Sequence, residues 1–168
     1  MALKIDCSVV GETTCLKLTG IVDEQSNFPD MGEIKGAVSI DLGQVSSINS
    51  VGIRNWLVWF STFDASASFV FQNCPVPVVM QMNMVEGFLP AGAVVESFFV
   101  PYYCESCDDE IRKNSKNGKD IILVGGKAEI KSPGHDKCEK GCELELDVNE
   151  NKYFRFLVKS ALSDQKAA

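Results

Sequence analysis

Cys104-Glu-Ser-Cys107 and Cys138-Glu-Lys-Gly-Cys142 set two thiol pairs at C-x2-C and C-x3-C spacing, with 30 residues between the pairs. A tight turn brings two thiolates onto one side of an ion, and two such turns complete the tetrahedral shell that Zn2+ takes. The predicted cofactor is therefore structural Zn2+, about one per chain, held by four ligands: Cys104, Cys107, Cys138 and Cys142. Four thiolates leave no open coordination position, so this is a closed site rather than a catalytic one. Lys137 and Lys140 flank the second pair and would offset the negative charge of such a centre. His135, the single histidine, could replace one cysteine as a ligand. Two other readings stay open: four unrelated buried thiols, and redox-active pairs.

The pattern resembles a zinc ribbon, with Gly141 in the second knuckle, where such turns often need glycine, although the x3 spacing and the long insert depart from the commonest ribbons. Few large apolar residues precede Tyr153 in this part of the chain, and a region so poor in core needs a metal or crosslinks to hold a fold. The other three cysteines, Cys7, Cys15 and Cys74, are isolated and read as small buried hydrophobes. An odd total of seven suits a reduced compartment better than a disulfide framework. The sequence MALKIDCSVV has no charged segment leading into an apolar one, so the expected address is cytoplasmic.

A second chemical candidate lies upstream, in DLGQVSSINSVGIRNWLVWF, residues 41–60. Residues 38–42 form a β-branched run suited to a buried strand, and polar turn formers at 44–49 are expected to end it. A helix then starts near Ser50, with Ser50 as its N-cap and Ile53, Trp56, Leu57 and Phe60 on the inward face. A phosphate on Ser50 would meet unpaired N–H groups and the positive end of the helix dipole, adding roughly −1.5 to −2 charges.

Residues 3–100 resemble the STAS domains, named for sulfate transporters and bacterial anti-sigma-factor antagonists. The resemblance rests on Leu16-Lys-Leu-Thr-Gly20-Ile-Val-Asp23, on Ser39-Ile-Asp41-Leu, and on Ile48-Asn49-Ser50-Val51-Gly52 opening a helix. It implies an α/β fold with a mixed sheet and helices. It also implies a protein partner, a serine kinase that is also the anti-sigma factor, which phosphorylates the serine of an Asp-Ser-x-Gly motif. Here Asn49 stands in place of the aspartate. By that resemblance Ser50, Asn49, Gly52 and Trp59 are the phospho-acceptor and partner-binding candidates. Gly52 would let a partner backbone approach or pack closely at the helix start, and Trp59 would be a surface contact or a border residue of the core.

The elements that must position these residues follow from local pattern. Residues 3–10 and 13–19 read as strands joined at Gly11-Glu12. Residues 20–35 carry only a weak helical pattern. A strand at 69–73 precedes a helix at 75–88, where Pro75 and Pro77 fall in the first turn and Val78, Val79, Met82 and Val85 share a face. Met80, Met82 and Met84 read as core filling or a pliable contact surface rather than a cofactor box. A strand at 93–103 leads directly into Cys104. Beyond it come a polar turn region at 113–119, a strand at 121–124, a Gly125-Gly126 turn leading toward 127–131, a loop at 132–134, a short strand at 143–148, a helix at 151–162 and a frayed tail. The expected organisation is a STAS-like domain (1–102), a small β-rich zinc-ribbon-like module with a terminal helix (103–162) and a tail (163–168).

Residues 1–103 hold 4 basic and 10 acidic side chains, 4 − 10 = −6, and residues 104–168 hold 12 and 13, 12 − 13 = −1. Neither half is a basic patch, which argues against direct nucleic-acid binding. The most apolar stretch, 87–103, is broken by Pro90, Glu96 and Pro101, so no membrane insertion is expected. No Ser-His-Asp set, no phosphate-binding glycine loop and no second carboxylate pair near Ser50 support an enzyme. The expectation is a non-enzymatic signalling protein that binds a protein partner. The alternatives are a non-phosphorylated scaffold whose zinc module makes the contact, and a nucleotide or small-ligand sensor near the Ser50 loop.

Overall fold

A computed structural model describes residues 1–131 and 136–167, with side chains through residue 163. Fourteen elements follow in order: β1 (Lys4–Val10), β2 (Thr13–Val22), β3 (Ala37–Ile48), α1 (Ser50–Phe60), β4 (Ser68–Gln72), α2 (Val76–Met84), β5 (Val94–Val95), β6 (Ser97–Cys104), β7 (Asp109–Lys116), β8 (Ile121–Val124), β9 (Lys127–Ile130), β10 (Glu145–Leu146), α3 (Glu150–Tyr153) and α4 (Arg155–Ala167). The fold is mixed α/β. A five-stranded sheet of order β1-β2-β3-β4-β5 is joined by a three-stranded sheet, β10-β6-β7, and by the β8-β9 hairpin. No helix among the described residues is long and apolar enough to cross a membrane.

The opening hairpin turns at Gly11-Glu12, and Gly11 takes the positive φ of +61° that such a turn demands. β2, β3, β4 and β5 then run parallel. The polar residues 44–48 do not end the third strand as expected. They continue it, because β2 supplies a parallel partner as far as Val22, with register shifts at Lys17/Thr19 and Gly20/Ile21 absorbing the irregularity. Strand pairing outweighs local turn preference here. Between Val22 and Ala37 no regular element forms.

Leu16, Leu18, Val38, Ile40, Leu42, Phe69 and Phe71 are buried in the main sheet, and the rings of Trp56 and Phe60 in α1 pack on Phe71. At Asn73, whose φ is +53°, the chain leaves β4. Cys74 is fully buried, as its apolar reading required, and burial first, then Asp41, pushes its thiol far up. Cys15 is only half-buried, and the buried reading fails for Cys7, which is exposed on the edge strand β1.

The expected boundary at 102/103 falls inside β6, and the two parts share one core. Phe98 of β6 meets Phe154 and Phe156 edge-on at 6.1 and 5.0 Å. Asn83 of α2 clasps this return: its amide donates to the Tyr153 carbonyl (2.8 Å) and its oxygen accepts from the Phe156 N–H (2.8 Å), which satisfies a free donor at the start of α4. The helix expected at 151–162 is two helices broken at Phe154, and α4 runs on to Ala167 where a frayed tail was expected. Residues 109–116, partly expected as a polar turn, form β7 and pair with β6 over its full length.

Candidate functional site

The first cysteine pair sits on the turn between β6 and β7. Cys104 is the last residue of β6, pairs with Asp109 and is buried; Cys107 lies in the turn, which Asp108 closes at a φ of +51°. The Tyr103 hydroxyl donates to the Asp108 carboxylate and fixes this corner. The second pair sits on a loop drawn together by the Cys138 N–H to Cys142 O (2.9 Å), the Gly141 N–H to Cys138 O (2.9 Å) and the Lys137–Glu143 bridge. Gly141 has a φ of +81°, the left-handed geometry for which the sequence reading required glycine. Two strands link the turns: β10 pairs with β6 through Glu145–Tyr103 and Leu146–Tyr102. Lys113 of β7 adds a donor to the Lys137 carbonyl at 2.7 Å.

These constraints converge four thiols from two distant stretches. Their sulfurs all lie within 4.8 Å of one another, with Cys107 Sγ 4.0 Å from Cys138 Sγ and 3.9 Å from Cys142 Sγ. A tetrahedral shell of sulfurs at ~2.3 Å from zinc has edges of about 3.8 Å. The donor set therefore fits a soft, four-coordinate metal ion such as zinc. All seven cysteines are free thiols.

The thiols also perturb one another. Hydrogen bonding to Cys104 and then burial push Cys107 up to about 12, and the neighbouring Cys138 pushes Cys142 up. Burial alone would raise Cys138 as well, but the backbone of Cys142 and Lys140 together with the thiols of Cys142 and Cys104 outweigh it and draw that thiol down to about 7. His135, the alternative ligand, and the expected loop at 132–134 lie outside the described residues.

At the other candidate, the helix cap is Asn49 rather than Ser50. Asn49 Oδ1 accepts from the Gly52 N–H at 2.8 Å, and its Nδ2 donates to Glu24 Oε2 at 2.8 Å. The amide thus does two tasks, and an aspartate would bring a second carboxylate against Glu24. The Glu24 carboxyl is held below the usual carboxylate range by this amide donor first and a backbone N–H second. Ser50 is the first residue of α1, exposed, and its hydroxyl makes no hydrogen bond within the described residues.

The other two residues of this set are structural. Gly52 is buried, and a Cβ there would lie 2.2 Å from the Val22 carbonyl oxygen, so glycine serves the approach of α1 to the end of β2 rather than that of a partner. Trp59 is 1 % exposed; its indole donates to the Pro29 carbonyl at 2.9 Å and its rings meet Phe28, Trp56, Phe60 and Phe63. It is a core residue and not a surface contact. The inward face of α1 is accordingly turned toward Trp59, leaving Leu57 at 36 % exposure.

Sequence reasoning missed Glu24, which lies 25 residues before its partner in a segment without periodicity, and Asn83, for which a polar residue between Met82 and Met84 gave no signal. No protein-family model, curated protein or solved structure matches this chain.

Proposed function

We propose that this chain is a non-enzymatic signalling protein of the STAS type that binds a protein partner at the exposed start of α1, with its second half held by one structural zinc on Cys104, Cys107, Cys138 and Cys142. The observation that carries the regulatory part is the free hydroxyl of Ser50. Asn49 already caps the helix, so Ser50 has no capping duty and stands exposed at the positive end of α1. The hairpin that feeds parallel strands, with a helix after the third strand, supports the STAS resemblance. Phosphate on Ser50 would add charge beside Glu24 at the contact surface and switch binding off, as in an anti-sigma-factor antagonist that is switched by its kinase.

The test is incubation with a serine kinase of the anti-sigma type, followed by capture of that kinase. Phosphate found on Ser50, absent from Ser50→Ala, together with weaker capture by Ser50→Asp supports the switch. Equal capture by wild type and Ser50→Asp contradicts it.

A cavity favours the small-ligand alternative. Its volume is about 330 Å3, and it opens between Gly43–Ser46 of β3, Pro75–Pro77 at the start of α2, Phe99 and Arg112. Calorimetric titration with common nucleotides is its check, and silence there removes it.

A further inference from the structure

The main sheet ends on one side in β1, seven residues long and, among the described residues, paired only with β2. The other edges are short or charged, β8 and β9 being four residues each. β5 is two residues long, and β7 carries Asp109, Glu110, Arg112, Lys113 and Lys116 along its eight residues. β1 has no proline or bulge, and its two charges, Lys4 and Asp6, neutralise each other at 2.9 Å. An unguarded edge of this length is a template for another strand.

Register says which groups are offered. In a two-residue hairpin the residues flanking the turn, Val10 and Thr13, exchange both main-chain hydrogen bonds, and the pattern alternates along the ladder. Val10, Ser8, Asp6 and Lys4 therefore bond to β2, whereas Val9, Cys7 and Ile5 turn their N–H and C=O groups outward. The side chains of Ile5 and Cys7 stand on the face of their partners Leu18 and Leu16, which belong to the buried core. Cys7 is nevertheless exposed and Val9 is 69 % exposed, so the apolar layer stops short at this edge.

We infer that the occupant of this edge is β1 of a second copy, paired antiparallel about a two-fold axis at Cys7. Cys7 is the central residue of β1, so this register alone aligns all seven positions: Ile5 opposite Val9, Cys7 opposite Cys7, and Asp6 opposite Ser8. Outward groups then meet outward groups, giving about six main-chain hydrogen bonds. Ile5, Cys7 and Val9 form one apolar row across the junction. A shift of two residues either leaves groups unpaired or, in one direction, sets Asp6 against Asp6. The contact is isologous and closes, so it yields a dimer with a ten-stranded sheet and no fibre.

Cys7 is also its own reporter. Hydrogen-bonded antiparallel neighbours have Cα atoms about 5.5 Å apart, within the span of a disulfide. Treatment of the full, metal-loaded chain with diamide removes two electrons and two protons from the two thiols and joins their sulfurs. The expected product is a covalent dimer whose crosslinked peptide contains Cys7 twice, absent from Cys7→Ser. In sedimentation under reducing conditions wild type dimerises on the order of 100 µM or below, and Val9→Lys weakens this by at least about tenfold. Cys7→Pro removes only an N–H that β2 does not use, so it abolishes the dimer with an unchanged circular dichroism spectrum. A monomer at every concentration with no Cys7 crosslink overturns the inference, as does a dimer that Val9→Lys and Cys7→Pro both leave intact.

Discussion

The layer around α1 and the cysteine turns beyond β6 each fix irregular loops against a sheet, and they do so with opposite materials. Around α1, Trp56, Trp59, Phe63, Phe69, Phe71 and Phe88 are buried, and the two indole N–H groups pin the chain at the Phe88 and Pro29 carbonyls. From Cys104 to Lys152 only Cys104, Ser115 and Ile121 are buried among the described residues. The first region is stabilised by area removed from water, which any well-packed set of large side chains supplies. The second reaches the shared core through Ile121 and partly buried side chains such as Leu144 and Leu146. Its cysteine turns hold four thiols where a core would be, and a metal there would contribute folding free energy directly. Two regions of one chain should then fail under different insults.

The sharpest separation comes from the cysteines. Cys107→Ser leaves three thiolates, and it should forfeit most of an apparent metal-binding free energy on the order of 10 kcal/mol at neutral pH. Hydrogen exchange should show protection lost at residues 136–146 and at the β6–β7 turn, while tryptophan emission stays that of buried indoles. Loss of both signals together would erase the distinction between the regions.

Trp59→Ala should do the reverse at smaller cost. It empties an aromatic site and orphans the Pro29 carbonyl, for a loss of about 3–5 kcal/mol in denaturant unfolding, with metal content unchanged. Gly52→Ala should cost at least about 2 kcal/mol, because the added carbon meets backbone at Val22 rather than a side chain that can swing away. Asn49→Ala removes the cap for about 1 kcal/mol. It also releases Glu24, whose titration should move upward in an NMR pH series. Glu24 is depressed in the folded chain, so its small contribution is present at neutral pH and fades as pH falls through its folded value.

How much of this was legible in the sequence also differs between the regions. Ligand spacing is local chemistry, and the two cysteine turns, with Gly141 in the second, were readable from residue types alone. The Gly11-Glu12 hairpin was readable for the same reason. What decides α1 is not local. Its rotation is set by Gly52 against Val22, thirty residues earlier in the chain, and periodicity alone chose Leu57 over Trp59 for the inward face. The lengths of β3 and β7 were hidden likewise, since polar stretches such as Gln44-Val45-Ser46-Ser47 and Arg112-Lys113-Asn114-Ser115 become strands only because β2 and β6 offer partners.

Metal content measures most directly whether the four thiols hold the cysteine turns in place of local apolar packing. Protein purified without chelator should carry about one zinc per chain, with Cys104, Cys107, Cys138 and Cys142 unreactive to a thiol reagent until the metal is removed. Metal-free protein with those four thiols freely reactive, and residues 136–146 still protected from exchange, would contradict it.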